Sequence, residues 1–422
     1  MREIYSTDYN GITQEEMQKH IAEVLEQYAD LNKVMIIPPD YTRCYSYAGE
    51  ITQIIYRTLK EKNVVVHVMP ALGTHMPMDA EELEKFFAGV VDDEDILVHH
   101  WQEDTVKLGT IPTEVVEEIS KGLFNEEIEV EVNHLLVDGD YDLIFSIGQV
   151  VPHEVVGMAN YSKNLFVGVG GRSMINKSHV LSAICGMEKA LGVVDTPARK
   201  VYDYAQENFI DGKLPVVFIQ TVTTRIDEQL YLNGMYSGPS RNTFELAAKL
   251  SQELNIVYVD KPATKMITYL DPDELKTTWV GNKGVYRTRM AVADKGELLI
   301  LAPGIRAFGE NDEMDAMTRK YGYKGRDYVL DLYNQGVFEG RTMSAAHLIQ
   351  GSSDGRFGIT YATCPEKISQ EEIESVGYKW ANYYEVIKQY NPETMKEGWN
   401  ITEEETFYYV GTPALGLWKC EE

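Results

Sequence analysis

Two α/β domains with mostly parallel sheets are what this chain predicts, and three observations predict them. Its 422 residues exceed the roughly 100–200 of one ordinary domain. Short apolar runs alternate with amphipathic stretches along the whole sequence, the pattern of βαβ units around a parallel sheet. Apolar residues make up 44% and charged residues 25%, a balance that fills cores and excludes disorder for the bulk of the chain. The boundary is expected near Pro262 or Asp271-Pro272, giving an N-terminal α/β domain over 1–264 and a C-terminal α/β domain over 265–404. The apolar tail 405–422 is expected to pack back on the first domain.

Taken in order, Lys33–Pro38 (KVMIIP), Val64–Met69, Ile96–His99, Leu143–Ile147, Leu165–Val169 and Val216–Ile219 are apolar runs of strand length. Between them Thr13 precedes a helix whose apolar face is Met17, Ile21, Val24, Leu25 and Tyr28, with the hydroxyl as N-cap. Ala48–Lys60 and Ala80–Phe87 carry the same period. In the second half Leu298–Leu301 and Phe357–Tyr361 read as strands. Met314–Lys320, Asp327–Leu332, Glu371–Val376 and Trp380–Ile387 read as helices.

Charge narrows the partners. Lys and Arg total 39 against 66 Asp and Glu, a net −27, and such a field repels nucleic acid and anionic membrane surfaces. No stretch approaches the roughly 20 apolar residues of a membrane span, and the N-terminus lacks an apolar signal region. A cytoplasmic location is expected. Cys44, Cys185, Cys364 and Cys420 are far apart without a Cys-x-x-Cys, so neither a disulfide framework nor a zinc ribbon is encoded.

Ligands of open α/β sheets bind beyond the carboxyl ends of strands, and four polar clusters follow apolar runs. Asp40-Tyr41-Thr42-Arg43 follows KVMIIP; its Arg suits a carboxylate clamp, and the alternative is a turn closed by an Asp–Arg ion pair. Gly73-Thr74-His75 precedes Asp79, which is placed to cap a helix. His99-His100 follows DILV, a position suited to general base work or metal binding. The fourth runs from Gly148 to His179 and holds His153, Lys163, His179 and the glycines Gly168, Gly170 and Gly171. That glycine run is neither a Walker motif nor GxGxxG. Histidines 20, 67, 134 and 347 lie in helical or strand patterns and read as structural.

Together, in this order, the clusters resemble the nickel-dependent lactate racemases. The carriers are Asp40-Tyr41-Thr42-Arg43, GTHMPMDAEEL from Gly73, His99 or His100 followed by Leu108-Gly109, and Pro152-His153, Lys163 and His179. The resemblance implies two α/β domains with an active-site cleft between them, and a racemase or 2-epimerase of 2-hydroxy acids. It implies a nickel-pincer nucleotide, a pyridinium mononucleotide with thioamide and thiocarboxylate sulfurs, tethered to Lys163 and made by separate maturation proteins. Soft sulfur donors in a square plane suit nickel. His179 would ligate the metal, and hydride would pass reversibly between substrate C2 and the pyridinium ring. His153 and His99, with His100 as the alternative, would exchange the hydroxyl proton on opposite faces. Arg43 would hold the substrate carboxylate. Asp40, Thr42, His75 and the glycines Gly168, Gly170 and Gly171 would lie near the cofactor.

The chain departs from the family pattern. Two glycines before the modified lysine are replaced by Asn160 and Tyr161, and a Gln and a Lys of the C-terminal domain are replaced near Arg287 and Arg289, as Arg287 and Met290. With Tyr41 and Tyr161, these exchanges predict a substrate larger or more polar than lactate, such as a sugar acid or a dicarboxylic hydroxy acid. Two other readings compete: a zinc-type hydrolase or lyase using His153 and His179, and a cofactor-less binder of anionic metabolites.

Overall fold

The computed structural model describes residues 2–226 and 229–420. Two compact units divide the chain. The first runs to Leu181 and adds Lys189–Asn255; the second combines Ser182–Glu188 with the residues from Ile256 onward. The division at Asn255/Ile256 differs from the expected 264/265, which would cut the strand Ala263–Tyr269.

The first unit is built on a six-stranded sheet in the order Ile4–Thr7, Gln229–Gly238, Val216–Ile226, Leu143–Gln149, Lys33–Ile37, Val65–Val68. The last four in that order run parallel, and Gln229–Gly238 and Ile4–Thr7 add on antiparallel. The strand Lys33–Ile37 sits inside, and Val34, Met35, Ile36 and Ile37 are fully buried, which explains a continuous apolar run rather than an alternating one. Helices cover it as the apolar spacing predicts. Gln14–Leu25 starts at a capping box, Thr13 with Glu16, and buries Met17, Ile21, Val24 and Leu25. Asp79 caps Ala80–Phe87 in the same way with Glu82. Each box satisfies two otherwise orphaned donors.

The second unit repeats the plan. Its six-stranded sheet is ordered Lys379–Asn382, Gly358–Thr363, Val292–Ala302, Ala263–Tyr269, Thr406–Val410, Gly398–Ile401, all parallel except the last. The tail belongs to the second unit and completes its strand pairings. Thr406–Val410 pairs with Ala263–Tyr269, and Leu417–Cys420 pairs with Ile256–Val259; an apolar run alone does not specify which sheet edge it completes.

Three further expectations change. Leu165–Val169 is not a strand but a π-type turn, Asn164–Gly168. A short buried apolar run fits a helical turn as well as a strand. Ile96–His99 is an extended loop with a single bridge from Ile96 to Val68; Val98 faces solvent, so the run never had two buried faces. Trp380–Ile387 splits into the strand Lys379–Asn382 and one helical turn, Tyr383–Val386, capped by Asn382. No disulfide joins the cysteines, and no described helix is long and apolar enough to cross a membrane.

Candidate active site

Parallel pairing puts the carboxyl ends of Val65–Val68, Lys33–Ile37 and Leu143–Gln149 on one edge. Three of the four polar clusters begin there, and backbone and side-chain bonds bind them together. Ala71 N donates to Pro38 O at 2.7 Å, and Gly73 N to Gly168 O at 2.8 Å. The Asn164 amide donates to Ile37 O, Ser146 Oγ and Ile147 O at 3.3, 3.0 and 3.4 Å. Asn164 is thus the staple of the site, and sequence pattern did not single it out.

Asp40 is buried. Its Oδ2 accepts from His75 Nδ1 at 2.5 Å and its Oδ1 from Thr42 Oγ1 at 2.6 Å. Burial alone would raise its pKa, but His75, Thr42 and Arg43 together bring it down to about 2. The carboxylate is therefore ionised and fully engaged. The Asp40–Arg43 ion pair of the alternative reading does not form: among the described residues Arg43 has no carboxylate within ion-pair distance, and its Nη1 donates only to Thr42 O at 3.3 Å. Tyr41 sets its ring edge-on to Phe86 at 6.3 Å.

The segment before Lys163 is strained. Asn160 and Tyr161 have φ of 66° and 58°, a left-handed backbone that costs non-glycine residues roughly 1–3 kcal/mol each. These are the two positions where the family pattern has glycine. Their side chains turn inward: Asn160 Nδ2 donates to Gly148 O at 2.7 Å, and the Tyr161 ring lies 4.5 Å from Phe218 and 5.5 Å from Phe244. Tyr161 is 3% exposed, so it packs the core and does not line a substrate site as expected.

Lys163 is half-buried, and its Nζ makes no hydrogen bond or ion pair among the described residues. Desolvation, with Arg43 and Arg199 nearby and only partly offset by Glu154 and Asp40, lowers its pKa to about 8. An appreciable fraction is a neutral, nucleophilic amine near neutral pH. His179, on the helix Arg172–Cys185, donates Nδ1–H to Ile175 O at 2.6 Å. Burial and the charge of Lys163 lower its pKa to about 4. The imidazole is thus neutral with its Nε2 lone pair open, the state a metal ligand requires.

His153 is buried. Its Nδ1 accepts from the Val155 amide at 3.1 Å, and Glu154 Oε2 lies 3.7 Å from the same nitrogen. With Nδ1 accepting, the ring proton is on Nε2. His99 is also buried, with both nitrogens engaged. Leu135 N binds Asn133 Oδ1, which turns the Asn133 amide nitrogen toward His99 Nδ1 at 3.0 Å, and His99 Nε2 donates to Gly170 O at 3.0 Å. Burial lowers its pKa. His100 is exposed and holds Asp104 through Nδ1 at 2.8 Å.

The glycine run has a packing reason. A Cβ on Gly168 would lie 2.6 Å from the Ala71 side chain, one on Gly170 2.0 Å from Phe166 O, and one on Gly171 2.6 Å from Glu131. The Glu131 carboxylate accepts from Ser173 N at 3.0 Å, so the N-terminus of Arg172–Cys185 already faces an anion, and a phosphate there would meet like charge. Arg172 lies over the Trp101 ring. In the second unit Arg289 is 3% exposed and bound to Glu188, Ser352 O and Asp354. Arg287 donates to Gly416 O and stacks on Tyr286. Both arginines hold protein rather than presenting open guanidinium groups to a substrate.

The donor set discriminates between metal chemistries. Among the described residues no group of three His, Cys, Asp or Glu could hold a metal ion, whereas zinc sites take three or four protein ligands. A pincer that brings its own three donors needs one imidazole and one amine for a tether, which His179 and Lys163 offer. The residues fit such a group.

No curated protein matches the chain at a significant level. A crystal structure of a Thermotoga maritima protein superposes with TM-score 0.85 at 25% identity, covering 99% of this chain and all of that one. The lactate racemase apoprotein of Thermoanaerobacterium thermosaccharolyticum superposes with TM-score 0.69 at 17% identity, covering 96% and 93%, a likeness of fold. Residues 7–192 match the family model of the lactate racemase N-terminal domain, so that part of the chain is similar to the first domain of the lactate racemases.

Proposed function

We infer that the protein is a racemase or 2-epimerase of 2-hydroxy acids that works with a nickel-pincer nucleotide. The observation that carries the reading is the Lys163–His179 pair: an amine with a lowered pKa and no partner among the described residues, within electrostatic reach of an imidazole kept neutral with one nitrogen open. Lys163 tethers the nucleotide and His179 Nε2 binds its nickel. Bound there, the group supplies reversible acceptance of the C2 hydride. Arg43 pairs with the substrate carboxylate, its guanidinium being left open because His75 and Thr42 occupy Asp40.

Inversion at C2 needs a proton carrier on each face. His153 is one. To accept at Nε2 its ring must leave the Val155 amide, and Glu154 then stabilises the imidazolium. His99 takes the other face because it is buried beside the glycine run, whereas His100 lies on the exposed surface with Asp104. His99 acts once it releases Gly170 O. The substrate is a carboxylate carrying a 2-hydroxyl. The case for one more polar than lactate loses Asn160 and Tyr161, whose side chains bond and pack within the protein.

The zinc hydrolase reading lacks a donor set, and a simple binder has no use for a lowered lysine. The test is stereoinversion of lactate, malate and gluconate by protein co-expressed with cofactor-maturation proteins. Interconversion of the C2 configuration supports the reading; hydrolysis or elimination without inversion overturns it.

A further inference from the structure

The tether segment is braced by a residue far away in sequence. Arg199, on the helix Pro197–Ala205, is fully buried on the same face as Ala198, Val201, Tyr202 and Ala205. Its Nη1 donates to Ser162 Oγ at 2.9 Å, and its Nη2 to Met158 O at 2.8 Å and Asn160 O at 3.0 Å. The guanidinium lies 4.3 Å from the Phe244 ring centroid and 5.9 Å from that of Tyr161. One planar fork thus grips both sides of the two left-handed residues and the residue next to Lys163. A buried arginine is costly unless its donors are matched, and here all three matched acceptors belong to one five-residue segment.

We propose that Arg199 is a positioning residue for Lys163: it holds the left-handed pair Asn160-Tyr161 in a bend that glycine would adopt unaided. The proposal rests on Lys163 being the tethering amine, but its physical content concerns the bend alone. Arg199 does the work that backbone freedom does where two glycines occupy these positions. Lysine cannot replace it, because an ammonium lacks the fork that reaches Oγ and two carbonyls at once.

The test is hydrogen exchange on the apoprotein, read by peptide mass, for Arg199→Lys and Arg199→Met. Arg199→Lys is also made in a background carrying Asn160→Gly and Tyr161→Gly and read against that background alone, because Tyr161→Gly by itself strips a ring from the core. Arg199→Lys should speed exchange over residues 158–164 by about tenfold, the population effect of releasing one strained residue. Peptides from the strand Lys33–Ile37 should not change. In the glycine background the same substitution should change exchange over 158–164 by less than about twofold, since residues that act through one another are not additive. Unchanged exchange in Arg199→Lys and Arg199→Met overturns the proposal, as does an equal loss with and without the glycines. Should Arg199→Lys not fold, the same comparison is made with Arg199→Met. In parallel, adduct occupancy on Lys163 after co-expression with maturation proteins should fall in Arg199→Lys and fall less in the glycine background. An adduct absent from wild type as well would sink the tether reading, while the exchange result would still decide the role of Arg199 in the bend.

Discussion

The two units share a plan and differ in what stands at their strand ends. Each has a six-stranded, mostly parallel sheet. In the first unit the strand ends lead to Asp40, Arg43, His75 and His153, and among the described residues Lys163 and Arg43 are cations without carboxylate partners. In the second the comparable cations are neutralised: Arg289 by Glu188 and Asp354, and Lys283 by Glu274. An aromatic and amide cluster there closes largely on itself, with Tyr361 and Tyr378 both donating to Asn282 Oδ1 and Tyr323 meeting His347. Of the nine histidines only His347 lies in the second unit. Open cations next to neutral imidazoles mark a site; satisfied networks mark a scaffold.

That contrast breaks most visibly at Lys163. Lys163→Ala should bring stereoinversion by the matured enzyme to background and abolish nickel retention, with the fold kept by circular dichroism. His153→Gln should lower kcat by about 10²–10⁴-fold, the range for a lost acid–base group, and His99→Gln should do the same while His100→Gln does not. Arg43→Met should reduce kcat/KM by about 10²-fold, as for a truncated partner of a carboxylate pair. Arg289→Met belongs to the scaffold. It should lower stability by about 1–3 kcal/mol through unmatched Glu188 and Ser352 partners and leave KM unchanged at a temperature where the variant is folded. A raised KM would move Arg289 into the site.

The smallest effect is on the pH dependence of apoprotein stability. Burial lowers His20 and His179 to about 4 and His347 to about 3. Each is neutral when folded and protonates near its ordinary 6.5 when unfolded, so folding loses stability as pH falls from about 6.5 through 4. Asp203, raised to about 6 by burial, acts in the opposite direction, contributing stability below its ordinary 3.8 that is lost as pH rises through 6. Burial also lowers His67 and His99 and raises Glu50 and Glu397; five lowered imidazoles outweigh three raised carboxyls, and the melting temperature should fall between pH 6.5 and 4. A rise across that window would contradict the assigned burial.

Residues whose role follows from local pattern were legible in the sequence. The Thr13 and Asp79 caps, the buried strand Lys33–Ile37 and the polar clusters after strands could all be read from spacing. What spacing could not give was the partner across the fold. Tyr161 reads as a polar exchange beside the cofactor, yet it turns into the aromatic core. Asn164, Glu154 and Arg199 gave no strand-end signal. The one sign of Arg199 was a charged residue on the apolar face of a helix. The tail strands carried a pairing tendency but not the identity of the sheet.

The proposed function requires Lys163 and His179 to act together on one bound group. The direct measurement is peptide-mapped mass spectrometry with nickel analysis on wild type, Lys163→Ala and His179→Ala, each co-expressed with maturation proteins. The expected result is an adduct on the Lys163 peptide with about one nickel per chain, no adduct in Lys163→Ala, and an adduct without stable nickel in His179→Ala. An adduct on Lys177, or active wild-type protein carrying none, would contradict the joint role of the two residues.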